Sequence, residues 1–257
     1  MSIAARFRSD MDKIVLFVDL IETTFDLARN SLDRFRSRHP VALAAKGVHA
    51  KARAVHGGLP LASEGVFLSA CAQFEQCIRD IIEEAASHAI NRMARFDMLP
   101  QNMQKEHLNG CAKILQHLGQ DKYKYLTSEG IVTSLHSCLP ASSGSPKLVL
   151  EAFSSNEKNF KPNIIAEHMK RLGVEQVWER IGQQTCLQKH LGLSNPQDCT
   201  RISKESLERI MDQRNYTIHR SRSYSAPSTT QVREHASYFA VLTEAIAGVL
   251  VSHIASL

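Results

Sequence analysis

The chain has no glycine-rich loop of the kind that cradles phosphates, no nucleophile elbow and no dinucleotide-binding fingerprint. P-loop NTPases, serine hydrolases of the α/β type and Rossmann enzymes are therefore excluded. It also has no stretch in which apolar and polar residues alternate with β-branched enrichment, so nothing calls for a strand and the fold class read from the pattern is all-α. The six cysteines, at 71, 77, 111, 138, 186 and 199, show no paired short spacing. Nothing at the N-terminus resembles a signal peptide. Both point to a reducing, cytoplasmic setting without disulfides. Long uninterrupted apolar runs are missing too. Ile14 to Ile21 is short and broken by Asp19, while Phe239 to Leu257 is interrupted by Glu244, Ser252 and His253 with no basic flank after it. A helix apolar nearly all round is expected in a core, so no membrane partner is assigned.

What is present is helical periodicity and enough apolar material to use it. With 257 residues, 43% of them apolar, the chain can bury the core of one large or two small domains. A net charge of +5 suits a polyanionic partner without requiring one. Residues 2 to 37 read as a long helix with Ile14, Phe17, Val18, Ile21, Phe25, Leu32 and Phe35 as its apolar positions, closed by His39-Pro40. A weaker helix over Val41 to His56 and a turn at Gly57 to Pro60 follow, making 1–59 an N-terminal helical arm before a domain over 60–257. The strongest pattern is Phe67, Ala70, Cys71, Phe74, Cys77, Ile78, Ile81, Ile82, Ala85 and Ala89, one stripe running from Ser63 to about Met93. Further helices are expected from Pro100 to Leu118, Tyr123 to Ser137, Asn163 to Leu172 and, after Gly173, Val174 to His190 with the only tryptophan, Trp178. Leu139 to Pro146 reads as a loop, and so does the serine-rich stretch after Arg220.

The chemistry is expected on the stretch from Ser203 to Arg220, with Ser203 as N-cap, Glu205 near the positive end of the helix dipole, and Leu207, Ile210, Met211 and Ile218 as its buried stripe. Near its end stand Arg214 and His219, about 140° apart around an ideal helix. They cannot point at one spot from an unbroken helix. They can flank a groove, and a second copy across a twofold axis would bring two arginines and two histidines into one cleft. Asn215 is four residues before His219 and on its face, where the amide could orient the imidazole. The plainer alternative is that Arg214 and His219 cap a helix C-terminus with positive charge. Glu75, beside the long stripe, has its own plain readings: a solvated edge, or an ion pair with Arg79 one turn on. His107 with Cys111, and Cys186 with His190, have the i, i+4 spacing from which two helices could build a zinc site. Buried core cysteines are the reading preferred here, and no metal or other cofactor is assigned.

The string Arg214-Asn215-Tyr216-Thr217-Ile218-His219 resembles the Arg-x-x-x-x-His signature of the HEPN superfamily, in its form with a polar residue after the arginine. The layout is similar to the RiboL-PSP-HEPN branch: a long early helix with an aromatic–Glu pair, here Phe74-Glu75; a middle segment, NFKPNIIAEHMKRLG; and a late helix spanning Leu207 to Asn215. The resemblance covers about 60 to 255. Two positions depart from the pattern. Ile218 and Arg220 stand where many relatives have a small residue and glycine, and Ser221 stands where some toxin members carry a tyrosine. The resemblance implies a HEPN-like helical bundle acting as a homodimeric, metal-independent endoribonuclease in toxin or antiviral roles, with a cognate antitoxin as a further partner in the toxin case. It gives Arg214 and His219 catalytic roles, has Asn215 support them and Glu75 hold Arg214, and leaves Arg220 and Arg222 for flanking RNA phosphates. A non-catalytic helical module binding RNA, a nucleotide or a protein is the alternative that bare spacing leaves open.

Overall fold

Helix starts and stops follow from local chemistry that can be read residue by residue in a computed structural model of the chain, which describes residues 2–29, 40–93, 95–140, 145–155, 159–219 and 225–257. Among the described residues there are eleven α-helices and no strand: α1 (Ile3–Arg29), α2 (Pro40–Ala54), α3 (Leu59–Met93), α4 (Gln101–Gln116), α5 (Ser128–Ser137), α6 (Glu151–Ser154), α7 (Pro162–Arg171), α8 (Val177–Gly182), α9 (Thr185–Leu191), α10 (Pro196–His219) and α11 (Thr229–Ser256). The all-α class is as expected.

The caps explain where several helices begin and end. Thr127 caps α5 by accepting the Gly130 N–H at 3.0 Å, so that helix begins five residues later than the pattern predicts, after a short 3₁₀ turn over Asp121–Tyr123. α7 ends in a Schellman motif: the Val174 N–H donates to the Met169 carbonyl at 3.1 Å and the Gly173 N–H to that of Lys170 at 2.9 Å. Gly173 takes φ of +87° there, which explains why a glycine divides the two helical patterns. The single helix expected over Val174 to His190 is instead α8 and α9, parted at Gln183 and Gln184.

Ser203 is not a cap. α10 begins seven residues earlier, where the Asn195 side chain accepts the Gln197 N–H at 2.9 Å, its carbonyl accepts the Cys199 N–H at 3.0 Å, and Pro196 occupies the first helical position. Ser203 is a fully buried residue inside the helix. α11 starts where the serine-rich loop is expected to give way to the final helix, at a capping box in which Ser228 Oγ accepts the Gln231 N–H at 3.2 Å and Gln231 Oε1 accepts the Ser228 N–H at 2.9 Å.

The helices gather into two compact units, Met1–Ala4 with Glu75–Met211 and Val241–Leu257, and Ala5–Phe74 with Asp212–Ala240. Each has its own core. In the first, α4 packs against α5, α6 and α7, and α7 against α8. Phe153, Phe160, Ile165, Ile181, Leu207 and Ile246 are fully buried there. Gly182 permits the end of α8 to lie against the first turn of α10, since a Cβ on it would stand 2.1 Å from Thr200 Oγ1 and 2.7 Å from the Pro196 carbonyl oxygen. In the second unit, Phe74 stacks on Phe239 with ring centroids 4.3 Å apart, and Phe7, Met11, Val18 and Phe67 are buried with them. All ten residues of the long α3 stripe are buried.

α11 is the one helix among the described residues that is long and apolar enough to cross a membrane. Of its most apolar window 61% is buried, and Phe239 in one unit and Leu242, Ala245 and Ile246 in the other are wholly inaccessible. It is a core helix, as the polar interruptions predict.

Candidate active site

α10 stays helical through His219, so Arg214, Asn215 and His219 all sit on the last turns of one continuous helix, within the second unit. The 140° separation therefore holds, and a single copy presents the guanidinium and the imidazole to different directions. His219 is exposed, whereas Arg214 and Asn215 are half-buried. The Arg214 Nη1 donates to Asn215 Oδ1 at 3.5 Å, a contact at the long limit of a hydrogen bond. Arg220 and Arg222 lie outside the described residues.

The turn carrying the motif is held from within by groups that bare pattern reading does not single out. Thr217, not Ile218, is the buried residue here: its hydroxyl donates to the Gln213 carbonyl at 2.8 Å, while Ile218 is 48% exposed despite its place on the apolar stripe. The Gln213 side chain meets His235 of α11, Oε1 to Nε2 at 3.1 Å, and the His235 ring lies 5.6 Å from that of Phe67. Two residues before His235, Arg233 donates to Asp19 at 2.8 Å and pairs with Glu22, which also accepts from the Thr229 hydroxyl. That pairing holds the Glu22 carboxyl below its usual range, chiefly through the hydrogen bond from Arg233.

Glu75 belongs to the first unit and is buried, so it is not a solvated edge. Its Oε1 accepts the Phe160 N–H at 3.4 Å, and the Arg79 guanidinium lies 5.0 Å from the Phe160 ring centroid. The asparagine-containing middle segment thus docks on α3 at the aromatic–Glu pair. One residue on, Lys161 makes a 2.6 Å ion pair with Glu208 of α10, and Trp178 Nε1 donates to the Pro162 carbonyl at 2.8 Å. Three sequence features named separately, the Glu, the middle segment and the late helix, are in this way joined in one unit.

The first of the cysteine–histidine pairs, His107 with Cys111, has other employment. His107 Nε2 accepts the Val149 N–H at 3.0 Å, its Nδ1 faces Cys138 Sγ at 3.9 Å, and Cys111 Sγ lies 3.5 Å from Nε2. The sulfurs therefore meet opposite ring nitrogens, which is a core arrangement and not a chelating one. Burial pushes the His107 imidazole down to about 4 and the Cys111 thiol up to about 12. Among the described residues no group of three or more histidine, cysteine, aspartate or glutamate side chains is placed to hold a metal.

A long early helix with a buried glutamate, a docked middle segment and an Arg-x-x-x-x-His string on the last turns of a late helix define a HEPN-class protein. The particular family follows from comparison with known families. The RiboL-PSP-HEPN family model matches residues 63–252, and the chain belongs to that family. No curated protein and no solved structure matches.

Proposed function

We propose that the chain is a metal-independent endoribonuclease of the HEPN type, with a toxin or antiviral role in the cytoplasm. The observation that carries this is the place of Arg214 and His219 on the last turns of α10, one half-buried and the other open to solvent, in a member of the RiboL-PSP-HEPN family. RNA supplies its own nucleophile. An imidazole takes the 2′-hydroxyl proton, the 2′-oxygen attacks phosphorus, the bond to the 5′-oxygen breaks, and that oxygen leaves protonated. The products are a 2′,3′-cyclic phosphate and a 5′-hydroxyl. A guanidinium fork matches the charge that gathers on the non-bridging oxygens, and an imidazole titrating near neutrality can serve as base or acid.

Because one helix turns Arg214 and His219 apart, the reading requires two copies, with paired motif helices supplying one histidine as base and the other as acid. Ile218, 48% exposed and about 40° around the helix from Arg214, is an apolar side chain that such a pairing would cover. Asn215 orients the neighbouring groups, and Arg220 and Arg222 take flanking phosphates. A cognate antitoxin is the partner to be sought if the role is that of a toxin.

The test is incubation of the purified chain with single-stranded RNA in EDTA. Fragments ending in 2′,3′-cyclic phosphate, lost in His219→Ala, are expected. Intact RNA across varied sequences would overturn the reading in favour of a non-catalytic HEPN-like module.

A further inference from the structure

In the first unit a groove of about 510 Å³ runs between the C-terminal halves of α3 and α11, and all its lining residues are among those described. Its floor is apolar, with Ala85, Leu250 and Ile254 buried there. On its α11 wall Val251 is 69% exposed, an apolar side chain with nothing of this copy over most of its surface. The α3 wall is polar and ordered by charge. Glu84, His88 and Arg92 follow one another at intervals of four residues, all of them exposed. On a helix that spacing makes a single ridge, each member about 40° around from the last, with about 12 Å between its ends. The ridge carries a carboxylate at one end, a guanidinium at the other and an imidazole midway. Arg92 is held in place from within the unit, since its Nη2 donates to the Ala255 carbonyl at 3.0 Å near the end of α11.

We propose that this face pairs with the same face of a second copy about a twofold axis passing at His88. Such an axis, perpendicular to α3, sets residue 88 + n of one copy against residue 88 − n of the other. Glu84 of each copy then faces Arg92 of its partner, and two opposite-charge pairs form at once. The ridge is its own complement, and that selects a second copy as the occupant: a ligand of one charge sign, or a purely apolar one, would answer only one end of it or neither. Rows of residues four apart lie side by side when two helices pack ridge into groove, at about 50° and 8 to 10 Å between axes. In that packing the partner's ridge enters the groove and Val251 is covered. The apolar contact supplies attraction, and the charges fix partner and register. The motif helices end in the other unit, so this is an interface distinct from their pairing and independent of the ribonuclease reading. Two different twofold interfaces on one chain build assemblies larger than a dimer.

The experiment is sedimentation equilibrium of the full chain carrying Ile218→Asp, which removes the motif-helix pairing from the measurement. This protein should still self-associate. Adding Glu84→Arg, or adding Arg92→Glu, sets like charges opposite each other in both pairs and should weaken association about tenfold or more. Carrying both substitutions in one chain restores opposite charges, so that chain should associate as the parent does. Mixing the two single-swap proteins should give a heterodimer in which both pairs are again opposite, although each protein alone associates weakly. Raising salt from about 50 to 500 mM should weaken the parent and strengthen each single swap, because screening removes attraction in one case and repulsion in the other. A parent that stays monomeric, association indifferent to the swaps, or swaps rescued neither by the double variant nor by mixing would overturn the proposal. Rescue on mixing also shows that the single-swap chains are folded. Loss of RNA cleavage in Ile218→Asp with this pairing intact would separate the two interfaces, whereas no cleavage by the unsubstituted chain would sink the ribonuclease reading and leave this one standing.

Discussion

At the scale of single residues, exposure and burial separate groups free to react from groups that hold the fold. His219 is exposed at a helix end, so His219→Ala should remove RNA cleavage while shifting unfolding free energy by no more than about 0.5 kcal/mol, checked by denaturant titration beside the activity assay. Arg214→Lys keeps the charge but loses the planar fork, and a fall in kcat well beyond tenfold is expected in single-turnover cleavage. His107 and His168 stand on the other side of this division. Both are buried; burial pushes each down to about 4, and His168 Nδ1 lies 2.7 Å from the Phe153 carbonyl oxygen. Their folded-state values lie below the ordinary imidazole value of about 6.5, so between about 6.5 and 4 the unfolded chain binds the proton and the folded one does not. Stability is full above that window and is lost as pH falls through it, by about 1.4 kcal/mol per pH unit for each histidine. In melts at pH 7.5, 6 and 5, the stability gap between wild type and His168→Gln should narrow as pH falls. A constant gap would contradict the assignment.

At the scale of elements, helix boundaries are set by side chains at their ends more than by apolar period. α10 takes its start from Asn195 and Pro196, so Asn195→Ala should cost about 1 kcal/mol, while Ser203→Ala should show no loss of a cap. Gly182→Ala should cost about 1 to 3 kcal/mol, since the methyl group would meet Thr200 and the Pro196 carbonyl where α8 crosses the first turn of α10. Thermal melts of the two variants check both figures. The long α3 stripe could be read in advance because a period sustained over many turns averages out local exceptions. The split between α8 and α9, and the late start of α5 at Thr127, could not, because each depends on one or two residues whose preferences are weak beside the surrounding pattern. The Asn195-Pro196 signal was present in the sequence as a cap signature, overshadowed by the more conspicuous apolar run that follows it.

At the scale of the whole molecule, the two compact units each gather segments far apart in the chain, because α3, α10 and α11 pass through both. The N-terminal helices fall in the unit that holds the motif, tied to α11 by the pairing of Asp19 and Glu22 with Arg233. If the active form is a dimer, melting temperature should rise with protein concentration, and Ile218→Asp should weaken assembly and cleavage together, as read by sedimentation and the RNA assay. A concentration-independent melt with full activity would contradict the paired arrangement.

The sequence by itself determined that the chain is helical, that one stripe of α3 is buried along its length, and that an arginine and a histidine five residues apart close a late helix. Those are properties of period and spacing, which each stretch of chain carries alone. Only the tertiary structure decided that Thr217 and not Ile218 turns inward, that Glu75 receives the Phe160 amide, and that His107 joins a core. Each depends on which distant segment lies opposite, and packing partners are chosen by the folded chain as a whole.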